Sequence, residues 1–242
     1  MQIRGFLKTS AIEWSGKISA VIFTSGCNFR CSFCHNPDLV DPKKIDRFPL
    51  ISEKEIFTEL VKRKKWLDAF VVTGGEPTLQ PDLENFLKKV KQMGFLTMLE
   101  TNGSNPGAIV RLLDCYIVDY LAIDIKGPLD ERYQEIIKLP SFQIANLRKT
   151  LDLVVNSRIP FELRTTVVPG IHDEKVLIEM AKQIKQQTTY NKQHSRPVWF
   201  LQTFRPKNCL DPKFNKIKPF TQEEMKKMLQ IAKKILPNTQ MR

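Results

Sequence analysis

Three cysteines stand within eight residues, Cys27, Cys31 and Cys34, at the spacing C-x3-C-x2-C. They follow the apolar run Ile18-Ser19-Ala20-Val21-Ile22-Phe23, which reads as a strand, and the turn residue Gly26. Three thiolates so placed can grip one compact inorganic centre. A closed structural zinc site or an ordinary four-iron cluster takes four protein ligands. This loop supplies three, and the other cysteines, Cys115 and Cys209, are single and distant in sequence. Three ligands on a cubane leave one iron with an open position, which catalytic metals keep and structural metals lack. Two blander readings carry less weight. A Cys3His zinc knot needs His35, which abuts Cys34 and reaches back poorly. Three unligated thiols would more usually be scattered and buried.

The loop resembles the signature of the radical S-adenosylmethionine enzymes. The resemblance implies a [4Fe-4S] cluster on Cys27, Cys31 and Cys34, with S-adenosylmethionine chelating the fourth iron. It also implies the chemistry: the reduced cluster donates an electron, the sulfonium breaks, and a 5′-deoxyadenosyl radical takes a hydrogen atom from the substrate. The protein supplies ligation, orientation and exclusion of water. A longer stretch is more specific. Lys8-Thr9-Ser10, Trp14-Ser15-Gly16-Lys17, Phe23-Thr24-Ser25-Gly26-Cys27-Asn28-Phe29-Arg30-Cys31 and Cys34-His35-Asn36-Pro37 resemble the activating proteins of anaerobic ribonucleoside-triphosphate reductase, a branch of the glycyl-radical-enzyme activases. This implies a glycyl radical enzyme as partner, that reductase first, and a flavodoxin or ferredoxin-type electron donor.

The elements that must position the loop alternate. Residues 2–14 are expected extended, as an edge hairpin, before strand 18–24. Residues 37–50, with three prolines, read as a loop. Ser52-x-x-Glu55 is a capping box opening a helix with Ile56, Leu60 and Val61 on one face. After strand 69–73, Leu83, Phe86, Leu87 and Val90 mark a helix that Gly94 stops. Then come strand 95–100, a helix near 106–114, strand 119–125, helical stretches 130–138 and 144–156, and strand 161–168. A helix over 173–186 faces Val176, Leu177, Met180 and Ile184 inward. Strand 197–203 is the sixth. Thr221-x-x-Glu224 caps a last helix carrying Met225, Met228, Leu229, Ala232 and Ile235. Gln186–Arg196 reads as a long polar loop. Six strand–helix units imply an α/β fold with a parallel sheet. Six are too few for a closed eight-stranded barrel, so the expectation is an open, partial (β/α)6 TIM-like barrel, also the fold the resemblance implies. The whole chain, 1–242, is expected to be one such domain, with a core of about 16–206, an N-terminal extended segment 1–15 and a C-terminal helix at about 221–236.

In a parallel α/β fold, chemistry gathers at the carboxyl ends of the strands. Those ends are polar here. Strand two ends in Thr73-Gly74-Gly75-Glu76-Pro77, two glycines for close backbone approach and a carboxylate for a cation. Strand three ends in Glu100-Thr101-Asn102-Gly103, with Glu100 and Asn102 on one face. Asp124 and Lys126 on strand four point away from Ile123 and Ile125, into the barrel, and must pair with each other or with a ligand. Strand five carries Glu162, Arg164 and Thr166 on one face. A plain glycine turn, an Asn-Gly turn, a structural ion pair and a structural arginine are the plainer readings of these four places. The resemblance implies S-adenosylmethionine contacts from Phe33, Gly74, Gly75, Glu76, Asn102, Asp124, Lys126 and Arg164. Strand six ends in Gln202-Thr203-Phe204-Arg205-Pro206 without the histidine that pyruvate formate-lyase activating enzymes place there, which points away from that sub-branch. His172 and His194 read as surface loop residues.

The bulk numbers bound the remaining classes. With 42% hydrophobic residues a sizeable core can form, and no stretch approaches the ~18 consecutive apolar residues of a membrane span. No signal peptide is evident. Five cysteines, three crowded together, argue against a disulfide framework and for a reducing cytoplasm. The net charge of +12 invites nucleic acid, but the cations sit in short groups such as Lys62-Arg63-Lys64-Lys65 on helix faces. Two alternatives stay open: a radical enzyme acting on a small molecule or RNA base, such as a 7-deazaguanine-forming synthase, and a non-catalytic, metal-stabilised nucleic-acid-binding module.

Overall fold

The computed structural model describes residues 1–188 and 197–242. Eight strands follow one another in the sheet in chain order. They are β1 Ile3–Ser10, β2 Ser19–Thr24, β3 Ala69–Gly74, β4 Leu96–Thr101, β5 Tyr120–Asp124, β6 Phe161–Val167, β7 Val198–Thr203 and β8 Thr239–Met241. The helices are α1 Pro37–Val40, α2 Pro42–Ile45, α3 Glu53–Arg63, α4 Leu83–Gln92, α5 Pro106–Asp114, α6 Arg132–Ile137, α7 Ile144–Asn156, α8 Glu174–Thr188 and α9 Gln222–Ile235. The protein is an α/β fold with an open, mainly parallel sheet, as the alternation of patterns implies.

The chain divides into two compact units. One contains residues 1–28, 36–101 and 107–122. Its strands β2, β3 and β4 are parallel and in register, Val21 beside Val71 and Val71 beside Met98. Val21, Val71, Met98 and Ala122 form a fully buried patch against which Trp14, Phe23 and Tyr120 pack. The alternate residues face helices; Phe70 meets Phe86 of α4 at 5.7 Å between ring centroids. Both faces of these strands are therefore covered, which explains their continuous apolar runs. β1 runs antiparallel to β2, an edge strand rather than a further strand–helix unit.

The other unit contains residues 29–35, 102–106 and 123–242. Here β6, β7 and β8 are parallel. Trp199, wholly buried, donates from Nε1 to Thr165 Oγ1 at 2.9 Å, and Thr165 Oγ1 donates to Ile125 O at 2.8 Å. This chain of bonds fixes the heights of three successive elements.

Several expectations are corrected. Residues 37–50 are not all loop: α1 and α2 each begin at a proline, whose fixed φ suits a first helical position. Val61 is 66% exposed, because it stands about 100° round α3 from the buried stripe of Ile56 and Leu60. β8 was not foreseen; three residues carry no readable period. The polar segment expected at Gln186–Arg196 begins inside α8, which runs to Thr188; 189–196, His194 among them, lie outside the described residues.

The α9 capping box is complete: Thr221 Oγ1 accepts from Glu224 N at 3.2 Å, and Glu224 Oε2 from Thr221 N at 2.7 Å. Thr221→Ala should cost about 1 kcal/mol and lower the melting temperature by roughly 2–4 °C, read by thermal unfolding.

Candidate active site

The cysteine loop leaves β2 through Ser25 and Gly26. Gln80 holds this exit: its Nε2 donates to Ser25 O at 2.9 Å, and its Oε1 accepts from Gln2 N at 2.8 Å. Gly26 N donates to Leu39 O at 2.8 Å. From the β3 side, Gly75 N donates to Thr24 O and Glu76 N to Gly26 O, each at 2.8 Å. A Cβ on Gly75 would stand 2.1 Å from Gly26 O; one on Gly74, where φ is +124°, would stand 2.3 Å from Thr24 backbone atoms. The two glycines thus let one main chain lie directly on another, immediately before Cys27. Ligand approach was the sequence reading; backbone approach is what the structure adds.

Glu76 is wholly buried. Its Oε1 accepts from Thr78 N at 3.0 Å, Thr78 Oγ1 at 2.6 Å and Thr101 Oγ1 at 2.7 Å. These donors fix the carboxylate and offset its desolvation. Neither Thr78 nor Gln80 carried a sequence signal.

No disulfide joins the five cysteines; Cys31 is buried, and Cys27 and Cys34 are half-buried. Among the described residues, no three His, Cys, Asp or Glu side chains are already gathered as they would be round an ion. The donor set still fits an iron–sulfur group: three thiols in eight residues, none tied in a disulfide. Metal sites commonly close only as the metal binds.

Lys126 Nζ meets Asp124 Oδ2 at 2.8 Å. Burial works against the ammonium, but Asp124, then Cys31, and also Tyr133 more than offset it and hold its pKa above the ordinary lysine value. Tyr133 braces the same turn: its hydroxyl accepts from Lys126 N at 3.0 Å and donates to Asp124 O at 3.4 Å.

His172 corrects the sequence reading. It is 1% exposed, not a surface residue. Val168 N–H donates to Nδ1 at 3.0 Å, so the ring's proton is on Nε2, which faces Lys126 O at 3.0 Å. The turn Pro169-Gly170-Ile171 folds the histidine back onto the strand end it follows. Burial lowers its pKa to about 4.

The remaining predicted residues are placed as follows. Asn102 is buried and its Oδ1 accepts from Ser104 N at 2.9 Å, within a turn where Gly103 has φ +71°. Arg164 is buried against Glu162, Nε to Oε1 at 2.5 Å, and Arg242 Nη1 joins the same oxygen at 3.2 Å. Phe33 is buried and packs near Phe214, centroids 6.5 Å apart.

The family model of the radical SAM superfamily matches residues 21–181. The chain belongs to the radical S-adenosylmethionine superfamily. Its cofactors are those of that superfamily, a [4Fe-4S] cluster and S-adenosylmethionine. Within the superfamily it falls among the glycyl-radical-enzyme activating enzymes. It is 33% identical, over 99% of its length and 95% of the other, to a protein of Methanocaldococcus jannaschii provisionally assigned as such an enzyme. It is 30% identical to a pyruvate formate-lyase-activating enzyme of Staphylococcus aureus, over 64% of each chain. Among solved structures, the S-adenosylmethionine-bound SuiB of Streptococcus suis has a similar fold, with TM-score 0.68 at 14% identity over 92% of this chain and 49% of SuiB. QueE of Escherichia coli gives TM-score 0.59 at 12% identity over 99% of this chain and 92% of QueE. No described helix of this radical SAM protein is long and apolar enough to cross a membrane.

Two measurements check this geometry. Gly75→Ala should cost about 1–3 kcal/mol, because backbone must give way, and should lower iron uptake; Gly170→Ala, with open space round the added carbon, should bear only left-handed strain of about 1–2 kcal/mol and keep iron uptake. His172, neutral when folded, makes the unfolded chain the better proton binder between pH 6.5 and about 4. Its contribution is complete above pH 6.5 and falls as pH drops toward 4, about 3 kcal/mol in all. Urea unfolding across this window should show the decline, and His172→Gln should remove that part of it.

Proposed function

We propose that this enzyme takes a hydrogen atom from the Cα of a glycine in a partner glycyl radical enzyme. Anaerobic ribonucleoside-triphosphate reductase is the partner the sequence favours. The observation that carries the reading is the combination of the C-x3-C-x2-C loop with a full-length relative assigned to glycyl radical activation. The Lys8-to-Lys17 preface supports the reductase in particular.

In this reading the whole chain, 1–242, is one radical SAM domain. Cys27, Cys31 and Cys34 hold the cluster. Phe33, Gly74, Gly75, Glu76, Asn102, Asp124, Lys126 and Arg164 serve S-adenosylmethionine. When bound, the cluster and S-adenosylmethionine together supply an electron and a carbon-centred hydrogen acceptor. The chain's own residues do the rest. Glu76, fixed by its hydroxyl and amide donors, offers a positioned negative charge to an amino group. Lys126 lends positive charge beside Cys31. Arg164 is oriented by Glu162 toward a carboxylate or ribose. A flavodoxin or ferredoxin-type protein would supply the electron. A reducing compartment such as the cytoplasm suits five cysteines outside any disulfide.

The test is anaerobic. The cluster is reconstituted and reduced, S-adenosylmethionine is added, and 5′-deoxyadenosine is quantified for the wild type and Cys31→Ala. Product should form with the wild type and fall to background with the variant. Adding the reductase should then give a glycyl signal in electron paramagnetic resonance. A colourless zinc protein would overturn the reading; turnover with no glycyl signal on the reductase would overturn that choice of partner.

A further inference from the structure

The last three strands of the second unit carry two different faces. β6, β7 and β8 are parallel, with Arg164 beside Phe200 and Phe200 beside Gln240. Side chains alternate along each strand, so Glu162, Arg164, Phe200 and Gln240 share one face. The other face holds Leu163, Trp199 and Leu201, all wholly buried. Arg242 follows β8 directly, and its N–H donates to Leu201 O at 3.0 Å, which carries the β7–β8 ladder one residue further.

Arg242 turns its side chain onto the polar face. The guanidinium lies over the Phe200 ring, 4.7 Å from its centroid, and Nη1 reaches Glu162 Oε1 at 3.2 Å. The same oxygen accepts from Arg164 Nε at 2.5 Å. One carboxylate is thus gripped from two sides, and Phe200 on the strand between fixes where the second cation stands. The side chains of Glu162 and Arg164 are 4% and 7% exposed, while that of Arg242 is 26% exposed. A partly open cation therefore clamps a buried pair. Arg164 also adjoins the turn of Asp124 and Lys126, since Ile125 N donates to Arg164 O at 2.8 Å.

A buried carboxylate facing a single guanidinium cancels much of its charge. A second cation on the same oxygen takes up part of the carboxylate's charge and stops the carboxylate from turning. We propose that Arg242 is a positioning residue for Arg164: by sharing Glu162, it sets the plane of the Arg164 guanidinium and leaves that group charge to offer the carboxylate of S-adenosylmethionine. The proposal rests on Arg164 serving S-adenosylmethionine, as in the reading above. Arg242 acts through Glu162 and makes no contact with the ligand itself.

The test measures binding rather than turnover. The full chain is loaded with its cluster without oxygen, and dissociation constants are taken by equilibrium dialysis for S-adenosylmethionine and for decarboxylated S-adenosylmethionine. Arg242→Met keeps an apolar stem over Phe200 and removes the charge. It should weaken S-adenosylmethionine about tenfold, the worth of one charge-assisted hydrogen bond. The decarboxylated ligand, which offers no carboxylate, should bind the variant no more weakly than the wild type. Arg242→Lys keeps the charge without the planar fork and should fall between the two. Arg242→Met binding S-adenosylmethionine as the wild type does overturns the proposal. Equal weakening of both ligands overturns it too, because Arg242 would then support the fold alone. Arg164→Met separates the two levels of the argument. If it leaves S-adenosylmethionine binding unchanged, the placing of Arg164 at the ligand fails, and this proposal with it. If it weakens binding while Arg242→Met does not, only the role of Arg242 fails.

Discussion

There is no room for one more carbon atom between Gly75 and Gly26, and much of the first unit depends on that closeness. A side chain at Gly75 would meet a carbonyl oxygen at 2.1 Å. Because none is there, the end of β3 lies on the end of β2 and two main-chain hydrogen bonds close the joint. The joint sets where Gly26 leaves the sheet, and so where Cys27 begins. Gln80 and Leu39 then hold the same turn from other sides. Backbone-to-backbone contact is stiffer than side-chain packing, because neither partner has a rotamer to change. A loop built on such a joint starts from a fixed point.

In the second unit, polar groups are organised round the turn after β5. Tyr133 spans Asp124 O and Lys126 N, while His172 spans Lys126 O and Val168 N. The side chains of Asp124 and Lys126 are left to face each other. Every bridging group here is neutral: burial keeps the Tyr133 phenol protonated and the His172 imidazole deprotonated. Neutral braces round one charged pair avoid stacking desolvation penalties, since an isolated buried charge is far costlier than a hydrogen-bonded neutral group.

Much of this was legible before any coordinates. Regular alternation of apolar runs gave the parallel sheet, because a strand covered on both faces cannot be written with many polar residues. The α4 face and its glycine stop were readable for the same reason: Leu83, Phe86, Leu87 and Val90 are all buried, and Gly94 has φ +88°. Illegible features share one cause, the lack of any local period. Gln80 and Tyr133 each act across gaps in sequence through two hydrogen bonds, and Thr78 binds the carboxylate two residues before it. His172 lies in a turn, where its burial depends on how Pro169-Gly170 folds it back. At Arg164 the sequence left a ligand contact and a structural arginine both open, and the buried carboxylate of Glu162 on the same strand face now orients it. In the glycine pair, residue type was informative but its cause was only half visible, since a sequence cannot say whether a ligand or a neighbouring strand makes the close approach.

The arrangement round Lys126 also bears on how the fold and the proposed cluster depend on each other. Three thiolates in one short loop would repel one another, and each would lose hydration as the loop closes. A fixed ammonium beside Cys31 offsets part of this before any metal arrives. Yet that ammonium is tolerated only because Asp124 already pairs with it, since a lone buried cation would shed its proton. Asp124 therefore maintains the cation. The main chain on either side of the pair is held by Tyr133 and His172, so its geometry is set by neutral hydrogen bonds rather than by the two charges themselves.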